Sequence, residues 1–412
     1  MNDNSYKILA QRITGYREQV IQMQTELTSI PALAPENKGE GETKKAEHIK
    51  ELLRNLSCDW IEEVNAPDNR VPSGYRPNLL AKMKGKSDKK TIWIMSHMDV
   101  VPVGDLSQWD TDPYQVTEKN GKLYGRGTED DQQGIISSIL AVKALQEEKI
   151  RPAFDIGLVL VSDEETGSQY GIDFVLKNKP DLIRPEDFII IPDAGDDQGT
   201  MIEVAEKSIL WIQCNTLGKQ THGSTPEKGA NAHSAAAHFI VKMKELYRIY
   251  SQKNPLFDPP LSTFEPTKKE SNVENINIIP GKDVCYFDCR ILPDTSVEEV
   301  QKTIRLWAND IEKEFRVKIN LTYPQVLTAP PPTPPDAPVV HALQIAIRDV
   351  MGRTAKTVGI GGGTVAAFFR KMDLPAVCWC TVDDTLHTPN EYCKIDNVLN
   401  DARVFTHIFL QD

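Results

Sequence analysis

Histidine and carboxylate side chains follow short apolar runs in this sequence. The run 92–95 is followed by His97 and Asp99, and a second run at 123–124 leads through a Gly-Arg-Gly turn to Asp130. In an open α/β sheet, the ligand site lies outside the carboxyl ends of the strands. A histidine together with carboxylates at that edge is a donor set typical of a divalent-metal site.

Three later segments place the same residue types after predicted strands. In chain order they contribute Glu164 and Glu165, then Asp193, and finally His387. Two histidines with three or four carboxylates suit a pair of divalent metal ions, with Zn²⁺ as the first choice. Two ions that share a bridging carboxylate lie about 3.5–4 Å apart and can clamp the attacking and leaving oxygens of a reaction.

Each of these residues has a simpler interpretation when it is taken alone. A single histidine at a strand end is more often a structural hydrogen-bonding residue than a ligand. The adjacent pair Glu164 and Glu165 would ordinarily lie in a solvated loop, and Asp193 would cap a helix. Their joint occurrence at one predicted sheet edge favours the metal site.

The elements that must position these residues are predicted to form an α/β fold. Apolar strand patterns alternate with helical patterns up to residue 206 and resume after the proline-rich segment 329–338. This alternation predicts a mostly parallel sheet with helices on both faces. The continuous apolar run 156–161 is typical of a strand that is buried on both sides.

The pattern changes near residue 206. A strand at 208–217 and a helix at 233–250 are followed by two antiparallel strands, 273–279 and 283–291. A helix at 297–315 and a last strand complete a βαββαβ order, which is the ferredoxin-like arrangement.

The two patterns together predict the domain organisation. We expect a catalytic, metal-binding domain formed by residues 1–206 and 324–412, interrupted by an inserted α+β lid and dimerisation domain at 207–323. An insertion of about a hundred residues has the usual size of one domain. The proline-rich segment is interpreted as a stiff linker.

Composition excludes some classes of partner. The chain of 412 residues carries a net charge of −12, which argues against nucleic acid or an anionic membrane, because phosphate binding requires clustered Lys and Arg. Its apolar runs are far shorter than the ~20 residues of a membrane span. The polar N-terminus lacks the apolar core of a signal peptide, and the seven cysteines include no CxxC pair. We therefore expect a cytoplasmic protein with reduced thiols.

Five motifs together resemble one known family. SHMDVVP, GRGTEDD, DEETGS, PDAG and HTPNEY occur in the order found in the zinc aminoacylase–carboxypeptidase family, peptidase family M20. That family includes acetylornithine deacetylase, succinyl-diaminopimelate desuccinylase, glutamate carboxypeptidase and carnosinase-type dipeptidases. The resemblance covers essentially the whole chain. It implies a hydrolase that cleaves the amide bond of a small peptide or N-acyl amino acid, with two zinc ions per chain or Mn²⁺ or Co²⁺ in their place.

The resemblance also assigns the metal ligands. Asp130 would bridge the two ions. His97 and Asp193 would complete one site, and Glu165 and His387 would complete the other.

Two neighbouring carboxylates receive other roles from the resemblance. Asp99 would hold the imidazole of His97 in the correct tautomer. Glu164 would be the general base, which takes a proton from the metal-bridging water and passes it to the leaving nitrogen.

The inserted domain carries further residues that match the family. His222 resembles the histidine that reaches across a dimer to polarise the scissile carbonyl, which implies a homodimer formed through this domain. Asn277 and Arg290 resemble the pair that binds the substrate carboxylate. Gly362 and Gly363 belong to a segment that resembles the glycine loop lining the substrate pocket.

The sequence departs from the common family pattern in ways that concern the substrate. Gln132 and Gln133 stand where many members have Lys-Gly, and Asp193 stands where deacylases and carboxypeptidases usually have Glu. The choice between a deacylase and a dipeptidase therefore stays open. Two other classes are weighed: a non-catalytic binding protein on the same fold, and a metal-free hydrolase that uses a carboxylate pair as glycosidases do. The second leaves the histidines unexplained.

Overall fold

The computed structural model describes residues 3–56 and 58–411. The helices are α1 Asp3–Thr14, α2 Arg17–Thr28, α3 Thr43–Asn55, α4 Gln132–Glu147, α5 Ile172–Asn178, α6 Ala232–Met243, α7 Leu246–Ile249, α8 Val297–Phe315, α9 Pro338–Met351, α10 Ala366–Arg370 and α11 Ile395–Phe409. The strands are β1 Trp60–Pro67, β2 Tyr75–Met83, β3 Ser87–His97, β4 Thr117–Lys119, β5 Lys122–Tyr124, β6 Phe154–Val161, β7 Phe188–Asp196, β8 Met201–Glu206, β9 Ser208–Leu217, β10 Thr221–His222, β11 Thr263–Lys269, β12 Ile278–Ile279, β13 Lys282–Ile291, β14 Lys318–Leu327, β15 Lys356–Ile360, β16 Ala376–Thr381 and β17 Tyr392–Lys394.

The largest sheet has the strand order β1-β2-β6-β3-β7-β16-β8-β15. Its central strands β6, β3, β7 and β16 are mutually parallel, while β1, β2 and β8 pair in the antiparallel sense. β6 and β16 are buried along nearly their whole length, as their continuous apolar runs predicted, whereas β3 is buried from Thr91 to His97 and β7 from Ile189 to Pro192. Helix α4 packs on β3 and β7, and α11 packs on α4. The predicted α/β class is confirmed.

Two compact units divide the chain. The first contains the described residues up to Val204, the segment Thr333–Thr357 and the described residues from Phe368 onward. The second contains Ala205–Pro332 and Val358–Ala367. The predicted segment 207–323 therefore lies within the second unit, which also takes in the glycine loop.

The second unit has a four-stranded antiparallel sheet in the order β11-β13-β9-β14. Helices α6 and α8 pack against each other and against this sheet. Both helices begin with a side-chain cap: Asn231 accepts from the N–H of Ser234, and Ser296 accepts from the N–H of Glu299. This is the predicted ferredoxin-like arrangement.

One strand prediction in the second unit was wrong. β13 pairs with β9 on one side and with β11 on the other, whereas the predicted partner 273–279 contributes only Ile278–Ile279, which pairs with β10. β11 was missed because it is polar and contains Pro266, which cannot donate to a sheet ladder and is tolerated at a sheet edge. The apolar residues before β12 misled the prediction, since Ile276 is fully exposed.

The predicted helix 233–250 is also interrupted. α6 ends at Met243, and a separate short helix, α7, follows it.

Within the residues that the structure describes, none of the helices has both the length and the hydropathy that a membrane span needs.

Candidate metal centre

The predicted ligands converge because four parallel strands end at one edge of the large sheet. His97 is the last residue of β3, and a short 3-10 turn that begins with Glu164 follows β6. Asp193 lies near the carboxyl end of β7, and His387 lies in the loop after β16. All of these residues belong to the first compact unit.

Asp130 lies between the two histidines. Its Oδ1 is 2.7 Å from Nε2 of His97, and its Oδ2 is 3.1 Å from Nε2 of His387. Each carboxylate oxygen therefore faces a different imidazole. Asp130 is therefore in contact with both histidines at once.

The remaining predicted ligands lie on the two sides of Asp130. Oε2 of Glu165 is 3.1 Å from Nε2 of His387, and Oδ1 of Asp193 is 3.7 Å from Nε2 of His97. Two groups each have donor atoms within 4.8 Å of one another: His97 with Asp130 and Glu165, and His97 with Glu164 and Asp193. The predicted base Glu164 thus lies on the Asp193 side of the centre.

Asp99 connects the histidine with the two glutamates. Nδ1 of His97 lies 3.1 Å from the backbone oxygen of Asp99, and because a carbonyl only accepts, Nδ1 carries the proton and Nε2 faces the centre. The Asp99 carboxylate accepts the backbone N–H groups of Glu164 at 3.1 Å and of Glu165 at 3.0 Å. One residue therefore sets the tautomer of the imidazole and holds the turn that carries both glutamates.

Glu391 is a positioning residue. It belongs to the motif HTPNEY, but the sequence alone assigned it no role. It is fully buried, and its oxygens accept the backbone N–H groups of Glu129 at 3.0 Å, Asp130 at 3.2 Å and Gly127 at 3.1 Å. Nη1 of Arg126 donates to the same carboxylate at 2.5 Å. Glu391 thereby fixes the loop that presents Asp130.

Glu129 performs the reciprocal task. Its carboxylate accepts the N–H groups of Asp383 at 2.6 Å and Thr385 at 2.5 Å, together with the Thr385 hydroxyl at 2.7 Å. It thereby fixes the loop that presents His387. The available signal was that the motifs GRGTEDD and HTPNEY contain more acids than the metal needs.

Burial shifts the ionisation of the carboxylates at the centre. It raises the pKa of Glu164 well above its usual value, and the charge of Asp193 adds to the effect. It raises the pKa of Glu165 to about 7, with a further contribution from the charge of Asp130. The pKa of Asp193 is also raised by burial. These acids therefore resist being ionised together without a nearby cation.

The histidines and Asp130 shift in the opposite sense. Burial disfavours the charged form of His97, but hydrogen bonds to Asp130, Asp193 and Asp99 outweigh it and raise its pKa well above the usual value. Hydrogen bonds to Asp130 and Glu165 raise the pKa of His387 to about 10. Burial opposes ionisation of Asp130, yet hydrogen bonds from the two histidines keep its pKa below the usual value.

The donor set fits a metal. Oε1 of Glu165 is buried without a hydrogen-bond partner among the described residues, which is costly for a carboxylate unless a cation contacts it. Imidazole nitrogens with carboxylate oxygens are the ligands that Zn²⁺ takes in proteins.

This centre predicts a pH-dependent response to zinc. In the folded protein the pKa of Glu165 is raised from 4.5 to about 7 and that of His387 from 6.5 to about 10. The protonated forms of these two side chains therefore stabilise the metal-free fold at low pH, and this contribution to the free energy of unfolding is lost as the pH rises through those values. Zinc favours the ionised carboxylates and the neutral imidazoles. We therefore expect the rise in unfolding temperature on adding equimolar Zn²⁺ to the metal-free protein to be larger at pH 8 than at pH 5, as measured by calorimetry. A rise of equal size at both pH values would contradict this.

His222 and Asn277 come together in the second compact unit. His222 on β10 pairs with Ile278 on β12, and the N–H of Gly223 donates to the backbone oxygen of Asn277 at 2.7 Å. The backbone N–H of Ser224 donates to Nδ1 of His222 at 3.1 Å. A neutral His222 therefore carries its proton on Nε2.

Arg290 lies against the glycine loop of the same unit. Its Nε and Nη2 donate to the two carboxylate oxygens of Asp288 at 2.7 and 3.0 Å, and its Nη1 donates to the backbone oxygen of Gly361 at 2.9 Å. Gly362 and Gly363 follow directly. Asp288 is the contact that the sequence reasoning missed, although its position two residues before Arg290 on one strand places both side chains on the same face.

Comparison with known proteins was made at the level of sequence and of fold. Residues 93–411 match the model of peptidase family M20/M25/M40. The chain is 40% identical over 406 residues to an uncharacterized metallohydrolase of Methanocaldococcus jannaschii, covering 95% of this chain and 98% of that protein. It is 30% identical over 388 residues to a succinyl-diaminopimelate desuccinylase of a Sulfurovum species, covering 94% and 97%.

Solved structures share the fold. The aminopeptidase PepT from Bacillus cereus superposes with a TM-score of 0.74 at 20% identity, covering 95% of this chain and 98% of that chain. Human carnosine dipeptidase 1 superposes with a TM-score of 0.71 at 19% identity, covering 98% of both chains.

Proposed function

The chain belongs to peptidase family M20/M25/M40 and is a metal-dependent hydrolase, and on this premise we propose that it cleaves the amide bond of a small peptide or an N-acyl amino acid. The observation that carries the proposal is the carboxylate of Asp130 between His97 and His387, with Glu164 beside them. In this arrangement the histidines and carboxylates would bind metal, and Glu164, whose backbone N–H donates to Asp99, would be the base.

We propose that two zinc ions occupy the centre, with Mn²⁺ and Co²⁺ as alternatives. His97 and Asp193 would hold one ion, Glu165 and His387 would hold the other, and Asp130 would contact both. When bound, the ions supply polarisation of the scissile carbonyl and a lowered pKa for the attacking water.

Glu164 would take the proton of the attacking water at its carboxylate and deliver it to the leaving nitrogen. The position of Glu164 beside His97 and Asp193 suits this double task, because a general acid–base group must lie within reach of the proton that it transfers. The Asp99 carboxylate accepts the backbone N–H groups of both Glu164 and Glu165 and so holds the turn that carries them. Adjacent carboxylates would thus have different roles because their surroundings differ.

Two observations bear on the substrate class: one favours N-acyl amino acids and the other favours small peptides. The Sulfurovum relative is named as a desuccinylase, which favours N-acyl amino acids. Asp193 in place of glutamate resembles the dipeptidase branch, which favours small peptides. Turnover of a panel of dipeptides and N-acetyl and N-succinyl amino acids by the zinc-loaded protein, with and without a chelator, tests the proposal. Binding without hydrolysis across the panel, or full activity in chelator, would contradict it.

We propose that His222 stabilises the negative charge that develops on the scissile carbonyl oxygen across a homodimer. The N–H of Ser224 leaves Nε2 of His222 as the proton-bearing nitrogen, which is the donor this role needs. His222→Ala is expected to lower kcat by about 10²- to 10³-fold. His222→Gln should retain part of the activity, because its amide N–H can also donate. Kinetics together with sedimentation test the role, and a fully active monomer would refute it.

A further inference from the structure

One face of the four-stranded sheet in the second unit carries an aromatic-walled cavity. Strands place alternate residues on opposite faces, and the apolar core formed with α6 and α8 contains Leu210, Ile212 and Phe287. The residues between them, among them Trp211 and Asp288, therefore lie on the other face. That face has a cavity of about 370 Å³, with a lining that includes Trp211, Thr267, Lys268, Tyr286, Asp288 and Pro324.

The walls of this aromatic cavity are held in place. Trp211 is directly opposite Asp288 in the pairing of β9 with β13, and its side chain remains 42% exposed. The hydroxyl of Tyr286 donates to Glu270 at 2.5 Å, and Nζ of Lys268 lies 4.8 Å from the centre of the Tyr286 ring. Single exposed apolar residues are ordinary, but aromatic residues that converge on a cavity of this size are typical of a small-molecule pocket.

Asp288 connects the aromatic cavity with Arg290. It lines the cavity and also accepts two hydrogen bonds from the guanidinium of Arg290. Among the described residues, three of the five N–H groups of Arg290 donate, two to Asp288 and one to Gly361. One N–H remains on each terminal nitrogen, and guanidinium N–H groups are strong donors to a carboxylate. Asp288 is therefore a positioning residue that aims Arg290.

We propose that the aromatic cavity binds the side chain of the substrate residue whose carboxylate Arg290 holds, and that it selects a large aromatic side chain there. This rests on the proposed function. Arg290 lies two residues beyond Asp288 on β13, a distance of about 7 Å along a strand. That separation suits a benzyl or indolyl group and the carboxylate of the same residue. A methyl side chain would leave the cavity largely unfilled.

The test compares zinc-loaded wild-type and variant proteins on matched substrates. Each pair of dipeptides or N-acyl amino acids carries Phe or Ala as the residue with the free carboxylate. We expect wild type to prefer Phe by at least about tenfold in kcat/KM, since even one methylene in a pocket is worth about 10- to 200-fold. Trp211→Ala should reduce this preference about tenfold, and Trp211→Phe should largely restore it. Leu306→Ala is the control, because Leu306 is 63% exposed on α8 in the same unit.

The outcomes separate the pocket from the function. A wild-type protein that hydrolyses no amide overturns the proposed function and the pocket with it. Hydrolysis with a preference for Phe that is the same in wild type and in Trp211→Ala overturns the pocket alone. A change in oligomeric state of Trp211→Ala, with unchanged preference, also overturns it and assigns this face to contact between copies of the chain.

Discussion

Replacing Glu164 with alanine is expected to lower kcat by about 10²- to 10⁴-fold, while the protein keeps nearly all of its metal. The reason is that Glu164 would transfer protons and Glu165 would bind metal, although both follow β6 on one turn and both give their backbone N–H to Asp99. Steady-state kinetics and zinc analysis of the same preparation measure the two properties. Purified wild type should hold up to two zinc equivalents per chain, and a chelator should abolish its activity.

Glu165→Ala is the matched control for this prediction. It removes a carboxylate of the same size from the neighbouring position, so any general disturbance of the turn is common to both variants. We expect this variant to lose about one zinc equivalent, because Glu165, 3.1 Å from Nε2 of His387, would be a ligand of the ion that it shares with His387. A fully active Glu164→Ala protein would refute the mechanism. Equal loss of zinc from both variants would make Glu164 a ligand, a role that its donor atom near His97 and Asp193 allows geometrically.

The sequence predicted the elements whose pattern reports burial directly. The strand at 208–217 and the helix at 297–315 were predicted with the bounds that the structure has for β9 and α8. Their periodicities are strong because each buries one face against the core of the second unit. β11 could not be found in this way, since an edge strand is stabilised by pairing with β13 rather than by its own apolar residues.

The same contrast holds at the metal centre. Residue type, order and position after a strand were enough to select His97 and Asp130 as candidates, and the structure brings them to 2.7 Å. Glu391 could not be given its role from sequence, because it acts on backbone N–H groups more than 260 residues away in the chain. Hydrogen bonds of a side chain to distant backbone depend on tertiary structure and leave no periodic signal. Ligands are thus easier to predict than the residues that position them.

Asp130→Asn is expected to remove both zinc ions and to reduce activity below detection. Asparagine keeps the volume of the side chain and one oxygen, but it removes the negative charge between the imidazoles of His97 and His387. Removing a ligand that two ions share weakens the binding of both ions, whereas removing a ligand of one ion weakens the binding of that ion alone. The prediction is therefore about zero zinc equivalents per chain, against about one for Glu165→Ala, measured by elemental analysis after gel filtration.

Without metal, the Asp130→Asn protein should also be less stable than the wild-type protein at pH values above 3.8, the usual pKa of aspartate. The folded pKa of Asp130 is lowered, so its ionised form stabilises the fold above pH 3.8 and this contribution is lost only below that value. At neutral pH, Asp130→Asn leaves the buried imidazole of His97 and the half-exposed imidazole of His387 with one acceptor fewer, and breaking a buried pair such as that of His97 with Asp130 costs about 3–5 kcal/mol. Asp173→Asn is the control, since Asp173 forms an exposed ion pair with Lys177 in the same unit, and such pairs contribute at most about 1 kcal/mol. Thermal unfolding in chelator compares the two variants. If Asp130→Asn retains one tightly held zinc ion, Asp130 does not bridge two metals and the centre binds its ions independently.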